Sequence, residues 1–114
     1  MSISTHTIAP GFAVTAQLSA EQMTDAAAQG FKTVINNRPD AEGGPNQPLS
    51  QAIAEAAHAN GLCYIYLPVV TGAITPEHAL AMRAALQAAQ QPVLAFCRSG
   101  ARSAQLYSLT QTAG

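Results

Sequence analysis

Apolar residues along the chain fall into short runs rich in β-branched and aromatic side chains, separated by alanine-rich stretches with helical spacing. That alternation predicts an α/β fold, a three-layer sandwich in which helices flank a central, mostly parallel sheet of about five strands. Residues 5–8 and 12–16 flank Pro10 and Gly11, a turn dipeptide, and predict a hairpin at the sheet edge. Ser19 and Gln22 form a capping box that opens a helix, which Gly30 is placed to close. Thr33, Val34 and Ile35 then predict a buried strand over residues 32–36. Three prolines with Gly43 and Gly44 keep residues 38–48 out of regular structure. A second helix follows from Ser50 to about Asn60, where Gly61 is a stop signal, and a strand occupies residues 63–69. Thr75, Pro76 and Glu77 supply a cap hydroxyl, a proline at the first helical position and an early carboxylate, so a third helix starts there and runs to about Gln90. Pro92 blocks its continuation. Residues 93–96 are wholly apolar, as a central parallel strand is, and a fourth helix fills residues 101–113.

Composition narrows the function classes. At 114 residues the chain is expected to form one domain, residues 1–114, burying roughly two thirds of its unfolded surface. Charged residues make up 10%, five basic against six acidic, with no block of either sign. Binding to nucleic acid or to an anionic membrane through a polybasic surface is therefore not expected. Although 48% of residues are hydrophobic, no apolar run approaches the roughly 20 residues of a membrane-spanning helix. The opening MSISTHTIAP has neither a basic leader nor an apolar core, and two cysteines are too few for a disulfide framework, so a cytoplasmic location is expected.

One constellation carries chemistry. The strand 93–96 delivers Cys97 to its carboxyl end, and Arg98, Ser99, Gly100, Ala101, Arg102 and Ser103 turn directly into a helix. Open α/β sheets place their ligands at this edge. Small residues around a glycine at a helix start let backbone N–H groups converge on one point, with the positive end of the helix dipole added, which makes an anion cradle. The same field favours thiolate over thiol at Cys97. Gly100 supplies any positive φ the turn requires, and Arg102, one helical turn in, is placed to clamp a bound oxyanion. Four of the five basic residues are arginines, and two of these flank Gly100, in a chain that spends few charges elsewhere. Cys97 and Arg102 are thus the candidate catalytic residues. Arg98, Ser99, Gly100, Ala101 and Ser103 are the candidate anion-binding residues, with Arg98 raising the local potential and the two serines serving equally well as ordinary helix caps.

At these residues the sequence resembles two related families with a Cys-to-Arg loop, the rhodanese-like sulfurtransferases and the dual-specificity phosphatases. Over nearly the whole chain, including INNRPD at residues 35–40, YLPV at 66–69 and FCRSGARS at 96–103, it resembles the bacterial beta-lactamase hydrolase-like family of phosphatase-like domains. The resemblance implies a dual-specificity phosphatase-like fold with the Cys97 strand at the centre of the sheet. It also implies, as a partner, a metallo-β-lactamase-type persulfide dioxygenase, fused or separate. Phosphatases of this kind carry five residues between cysteine and arginine, whereas four separate Cys97 from Arg102, the count of many rhodanese-like loops. One residue fewer shortens the cradle by up to about 3.6 Å of contour, which suits a terminal sulfur. Such phosphatases also use a loop aspartate as acid, and residues 69–76 contain none; Asp40, Glu42 and Glu77 are the substitutes within reach in sequence.

The sequence therefore favours a sulfurtransferase that forms a persulfide on Cys97, with Arg102 holding the donor's oxyanion and residues 38–48 as a lid. A cysteine-based phosphatase is the alternative, and a non-catalytic anion- or partner-binding module the second. The substrate is accordingly a small sulfur-containing or phosphorylated compound. Asn36 and Arg38 end a strand beside the active one and are candidate supporting residues, although Arg38 reads more simply as a surface arginine. Cys63 is expected in the core, about 15 Å from Cys97 by strand rise. Tyr64 and Tyr66 share a strand face and are expected to pack. His6, His58 and His78 show no ligand spacing, no cysteine pair reads as zinc and no nucleotide-binding motif is present, so no metal and no cofactor is expected.

Overall fold

The computed structural model describes residues 2–112. Its elements run in chain order β1 (His6–Ala9), β2 (Phe12–Thr15), α1 (Gln22–Ala28), β3 (Thr33–Asn36), α2 (Ser50–Ala59), β4 (Cys63–Tyr66), α3 (Pro76–Ala88), β5 (Val93–Phe96) and α4 (Ala101–Thr112). The five strands form one sheet in the order β1-β2-β5-β3-β4. Only the β1–β2 hairpin is antiparallel, and it occupies the edge, as the Pro10-Gly11 turn predicts. The end of α4 near Ala113 lies outside the described residues.

Every residue of β5 is buried, because the strand has a neighbour on each side and helices above and below. The core accordingly divides in two. Leu94 and Phe96 of β5 pack with Val34, Met23 and Ala26 of α1 and Ile53 and Ala57 of α2 on one face. On the other, Val93 and Ala95 pack with Ile35, Met82 of α3 and Leu106 of α4. This alternation of successive side chains between two layers is the strand period of two.

Register aligns the edge that carries Cys97. Thr15 and Asn36 are both level with Phe96, and Tyr66 is level with Asn36, so four parallel strands finish together. The residues that follow them, Gln17, Asn37, Arg38 and Cys97, are thereby gathered at one end of the sheet.

Two expectations need correction. Cys63 is exposed rather than core: it opens an edge strand with no neighbour beyond it, on the face opposite Tyr64, which is the side chain that packs against the α1 and α2 layer. The predicted strand 63–69 ends at Tyr66, although Leu67 N and Val69 N still donate to Asn36 O and Asn37 O at 2.9 and 3.0 Å. Cys63 N and Leu67 N donate to Lys32 O and Asn36 O in regular parallel spacing, whereas Val69 N reaches the carbonyl of Asn37 in place of that of Arg38, so the register slips by one residue while the chain remains tied to β3. Among the described residues, no helix is long and apolar enough to cross a membrane, and no three His, Cys, Asp or Glu side chains group as metal ligands.

Candidate active site

β5 delivers Cys97 into a bend that enters α4 at Ala101. The bend closes because Gly100 has φ +95°, and a Cβ there would lie 3.2 Å from the backbone oxygen of Thr15. Gly100 N then donates to Cys97 Sγ at 3.1 Å, and the amides of Ser103 and Ser99 are also directed to the sulfur. Cys97 is 1% exposed, yet it lines a cleft of about 780 Å³. Burial pushes the Cys97 thiol up; the amides of Ser103, Ser99 and Gly100, with the Ser103 hydroxyl, outweigh it and hold the thiol below its ordinary value. Ser103 is fully buried, and its hydroxyl donates to Asn37 Oδ1 at 2.8 Å. A hydroxyl has one proton, so Ser103 shares it between Asn37 and the sulfur.

Arg102 lines the same cleft and is 8% exposed. Its Nη1 donates to Glu42 Oε2 at 2.9 Å and to the Val69 carbonyl at 2.8 Å, and its Nη2 donates to Glu42 Oε1 at 2.9 Å. Its Nε is buried without a hydrogen-bond partner. Glu42 Oε1 also accepts from Arg38 Nε at 3.0 Å, while Arg38 Nη1 donates to Gln17 Oε1 at 3.1 Å. The Arg102 hydrogen bonds, reinforced by Arg38 and opposed by partial burial, hold the Glu42 carboxyl below the usual range, so it is ionised at neutral pH. The carboxylate thus acts as a strut between two guanidinium groups. Gly43 beside it leaves room for Arg38, since a Cβ there would lie 2.5 Å from Nη2.

The structure sorts the remaining candidates. Arg98, Ser99 and Ala101 line the cleft, all three exposed, and Ser99 Oγ accepts from Ala101 N at 3.3 Å. Asn36 is buried below the rim, accepting from Arg38 N through Oδ1 at 2.8 Å and donating through Nδ2 to the Tyr64 hydroxyl at 2.9 Å. Arg38 is not a surface arginine: it is 9% exposed because Glu42 and Gln17 bind its charged end at the sheet edge. Asp40 does not line the cleft; its Oδ1 accepts from Ser50 N at 2.8 Å at the start of α2, and its own N–H donates to the Tyr66 hydroxyl. Glu77 sits exposed in the first turn of α3 and is likewise no part of the cleft wall. Tyr64 and Tyr66 therefore latch the 38–50 segment through their hydroxyls; Tyr64 also packs on the core as expected, whereas Tyr66, on the edge strand, is 40% exposed and does not. Residues 38–48 reach the mouth through Arg38, Glu42 and Gly43.

Sequence reasoning passed over Asn37, although strand parity contains the signal. Ile35 faces the α3 and α4 layer, so Asn37, two residues on, projects to the side from which α4 presents Ser103. The Glu42 pairing had no such signal, since its loop carries no period.

Residues 4–114 match the profile of a family described as beta-lactamase hydrolase-like protein, phosphatase-like domain. The chain belongs to this family. A beta-lactamase hydrolase-like protein of Xylella fastidiosa is 35% identical over 99 residues, covering 87% of this chain and 23% of the relative. The phosphatase-like domain thus spans about a quarter of that relative's length. Among solved structures, a Neisseria meningitidis protein described as a candidate phosphatase superposes with a TM-score of 0.85 at 28% identity, over 93% of this chain and 75% of its own. The fold is shared more distantly with P. aeruginosa TpbA, solved in complex with pTyr, at a TM-score of 0.62 and 19% identity over 86% of this chain and 55% of TpbA. The structural likenesses are to a protein described as a phosphatase and to one solved with phosphotyrosine bound, and the fold is phosphatase-like. They lend no support to the sulfurtransferase reading or to a persulfide dioxygenase partner.

Proposed function

We propose that this phosphatase-like domain is a cysteine-dependent phosphohydrolase acting on a small phosphorylated substrate, the alternative that the sequence ranked second. The observation that carries this reading is Arg102: two of its three nitrogens are fixed by Glu42 and Val69, while Nε is buried, unpartnered and in a residue that lines the cleft with Cys97. A buried donor without an acceptor is costly, and an oxyanion in the loop would supply one. The guanidinium would then be preorganised, since its orientation is set before the substrate arrives. In the first step the Cys97 thiolate attacks phosphorus, the P–O bond to the leaving group breaks, and that bond's electron pair departs with the leaving oxygen. In the second step water attacks the phosphocysteine, the S–P pair returns to sulfur as thiolate, and both water protons stay with the released phosphate. Loop N–H groups, Arg102 and the start of α4 offset the charge on the transferring group. Arg98, exposed at the mouth, raises the local concentration of anionic substrate.

The short Cys-to-Arg spacing keeps a second reading in play. Four intervening residues make a smaller ring than the phosphatase pattern, and sulfur transfer through a Cys97 persulfide suits it. One pair of assays separates the two. Turnover of p-nitrophenyl phosphate by the wild type, abolished in Cys97→Ser, is the outcome expected here. A Cys97-dependent gain of one sulfur atom from thiosulfate, with no phosphate released, would overturn phosphate hydrolysis in favour of sulfur transfer. Failure of both, with phosphate still bound, would leave an anion-binding module.

A further inference from the structure

The second half of a phosphatase site, the acid, is where this cleft is unusual. Displacement of an alkoxide from phosphorus is slow unless a group protonates the departing oxygen, and that group must itself carry a proton at working pH. Among the described residues lining the cleft, Glu42 is the one carboxylate, and the wall has no histidine, tyrosine or lysine. Glu42 cannot serve while it is held. Both its oxygens accept from Arg102, and one also accepts from Arg38, so protonation would break charge-assisted bonds to two guanidinium groups that are 7% and 11% exposed in their side chains. The candidates nearest in sequence are committed elsewhere: Asp40 to the start of α2, Glu77 to the exposed first turn of α3. Thr71 and Gln105, also on the wall, do not give up protons near neutral pH.

We infer that the cleft selects phosphorylated substrates whose leaving group departs as a stable anion without being protonated, that is phosphoanhydrides and esters of acidic alcohols, and discriminates against ordinary alkyl esters. This rests on the phosphohydrolase reading above and specifies its substrate class. The step balances without an acid: the thiolate and the phosphate dianion give the phosphocysteine dianion and the free leaving-group anion, one P–S bond replacing one P–O bond. Glu42 is then a positioning residue, which aims the Arg102 guanidinium and leaves Nε for the anion.

The test is a leaving-group series with the purified chain, using aryl phosphates whose phenols span pKa values of about 4 to 10, with acetyl phosphate and β-glycerophosphate as the two extremes. Expected is a fall in kcat/KM of roughly fivefold to tenfold for each unit rise in leaving-group pKa, rapid cleavage of acetyl phosphate and none of β-glycerophosphate. A series that is flat within about threefold, with turnover abolished by Cys97→Ser, would overturn the inference and leave the phosphohydrolase reading standing. Loss of turnover on every phosphate substrate would instead sink that reading, and this one with it. Glu42→Gln supplies an independent readout. If Glu42 only positions Arg102, the variant raises KM for phosphate substrates and keeps the steep leaving-group dependence. If the wild type has a descending limb in kcat above neutral pH that Glu42→Gln removes, Glu42 is the acid and the inference fails.

Discussion

Cys97 sits under two opposed influences, and their difference sets its chemistry. Burial disfavours the thiolate, while the backbone amides of Ser103, Ser99 and Gly100 and the Ser103 hydroxyl favour it, and the second group prevails. The rising limb of activity should therefore lie below the ordinary thiol range of about 8.5, since the reactive form accumulates as pH climbs through the lowered value. Ser103→Ala removes one of the favouring donors, which is expected to move that limb to higher pH. Below the limb, kcat/KM should drop roughly tenfold for each unit the thiol rises. A pH profile of kcat/KM and of the rate of alkylation by iodoacetamide measures both. Of the groups involved, Cys97, Gly100 and Ser103 were legible in the sequence because they are contiguous in one motif. Asn37, whose Oδ1 accepts a hydrogen bond from the Ser103 hydroxyl, stands 66 residues away, and the pairing became evident only when β3 was laid beside β5.

The unit that matters at the next scale is strand, bend and helix together, β5 through Cys97–Gly100 into α4. The bend works because Gly100 is left-handed and lies against the Thr15 backbone of β2, so the loop is shaped by a neighbouring strand as much as by its own residues. Gly100→Ala should cost about 1–3 kcal/mol, from the positive φ and the close approach together. It should also abolish phosphate binding, because the amide that donates to Cys97 Sγ is that of the same residue. Urea denaturation and phosphate titration by calorimetry check the two effects separately. Elements were the most legible level: strand and helix types follow from β-branched runs, caps and proline stops, and the β5 run of four apolar residues correctly implied a central strand. Where an element ended early, as β4 does at Tyr66, the cause was a one-residue slip in its pairing with β3, a partner that the sequence does not name.

At the scale of the whole molecule, the sheet order β1-β2-β5-β3-β4 brings together Gln17, the 36–43 segment and the 97–105 segment, three stretches with no local connection. The Arg38–Glu42–Arg102 cluster exists because of that order, and it ties a loop of eleven residues, 38–48, to α4. A consequence for stability follows from the direction of the Glu42 shift. Its carboxyl titrates lower in the folded chain than in the unfolded one, so the cluster contributes fully above the unfolded value of about 4.3 and is lost as pH falls through the folded value. The melting temperature of the wild type is therefore expected to decline more steeply than that of Glu42→Gln below about pH 4.3, with the two curves converging in acid. Thermal scans across the acid range, read by circular dichroism, test it.

The chain's own sequence determined the classes of its elements, the edge position of the hairpin, the buried central strand and the Cys97–Arg102 loop, because each depends on residues within a few positions of one another. Strand register and side-chain parity decided the rest. They exposed Cys63, buried Arg38, joined Ser103 to Asn37 and set Glu42 against two arginines, contacts whose partners are separated by up to 66 residues. Local pattern fixes backbone conformation through short-range sterics and hydrogen bonding, whereas the pairing of distant charges depends on which strands lie side by side, and no local period encodes that.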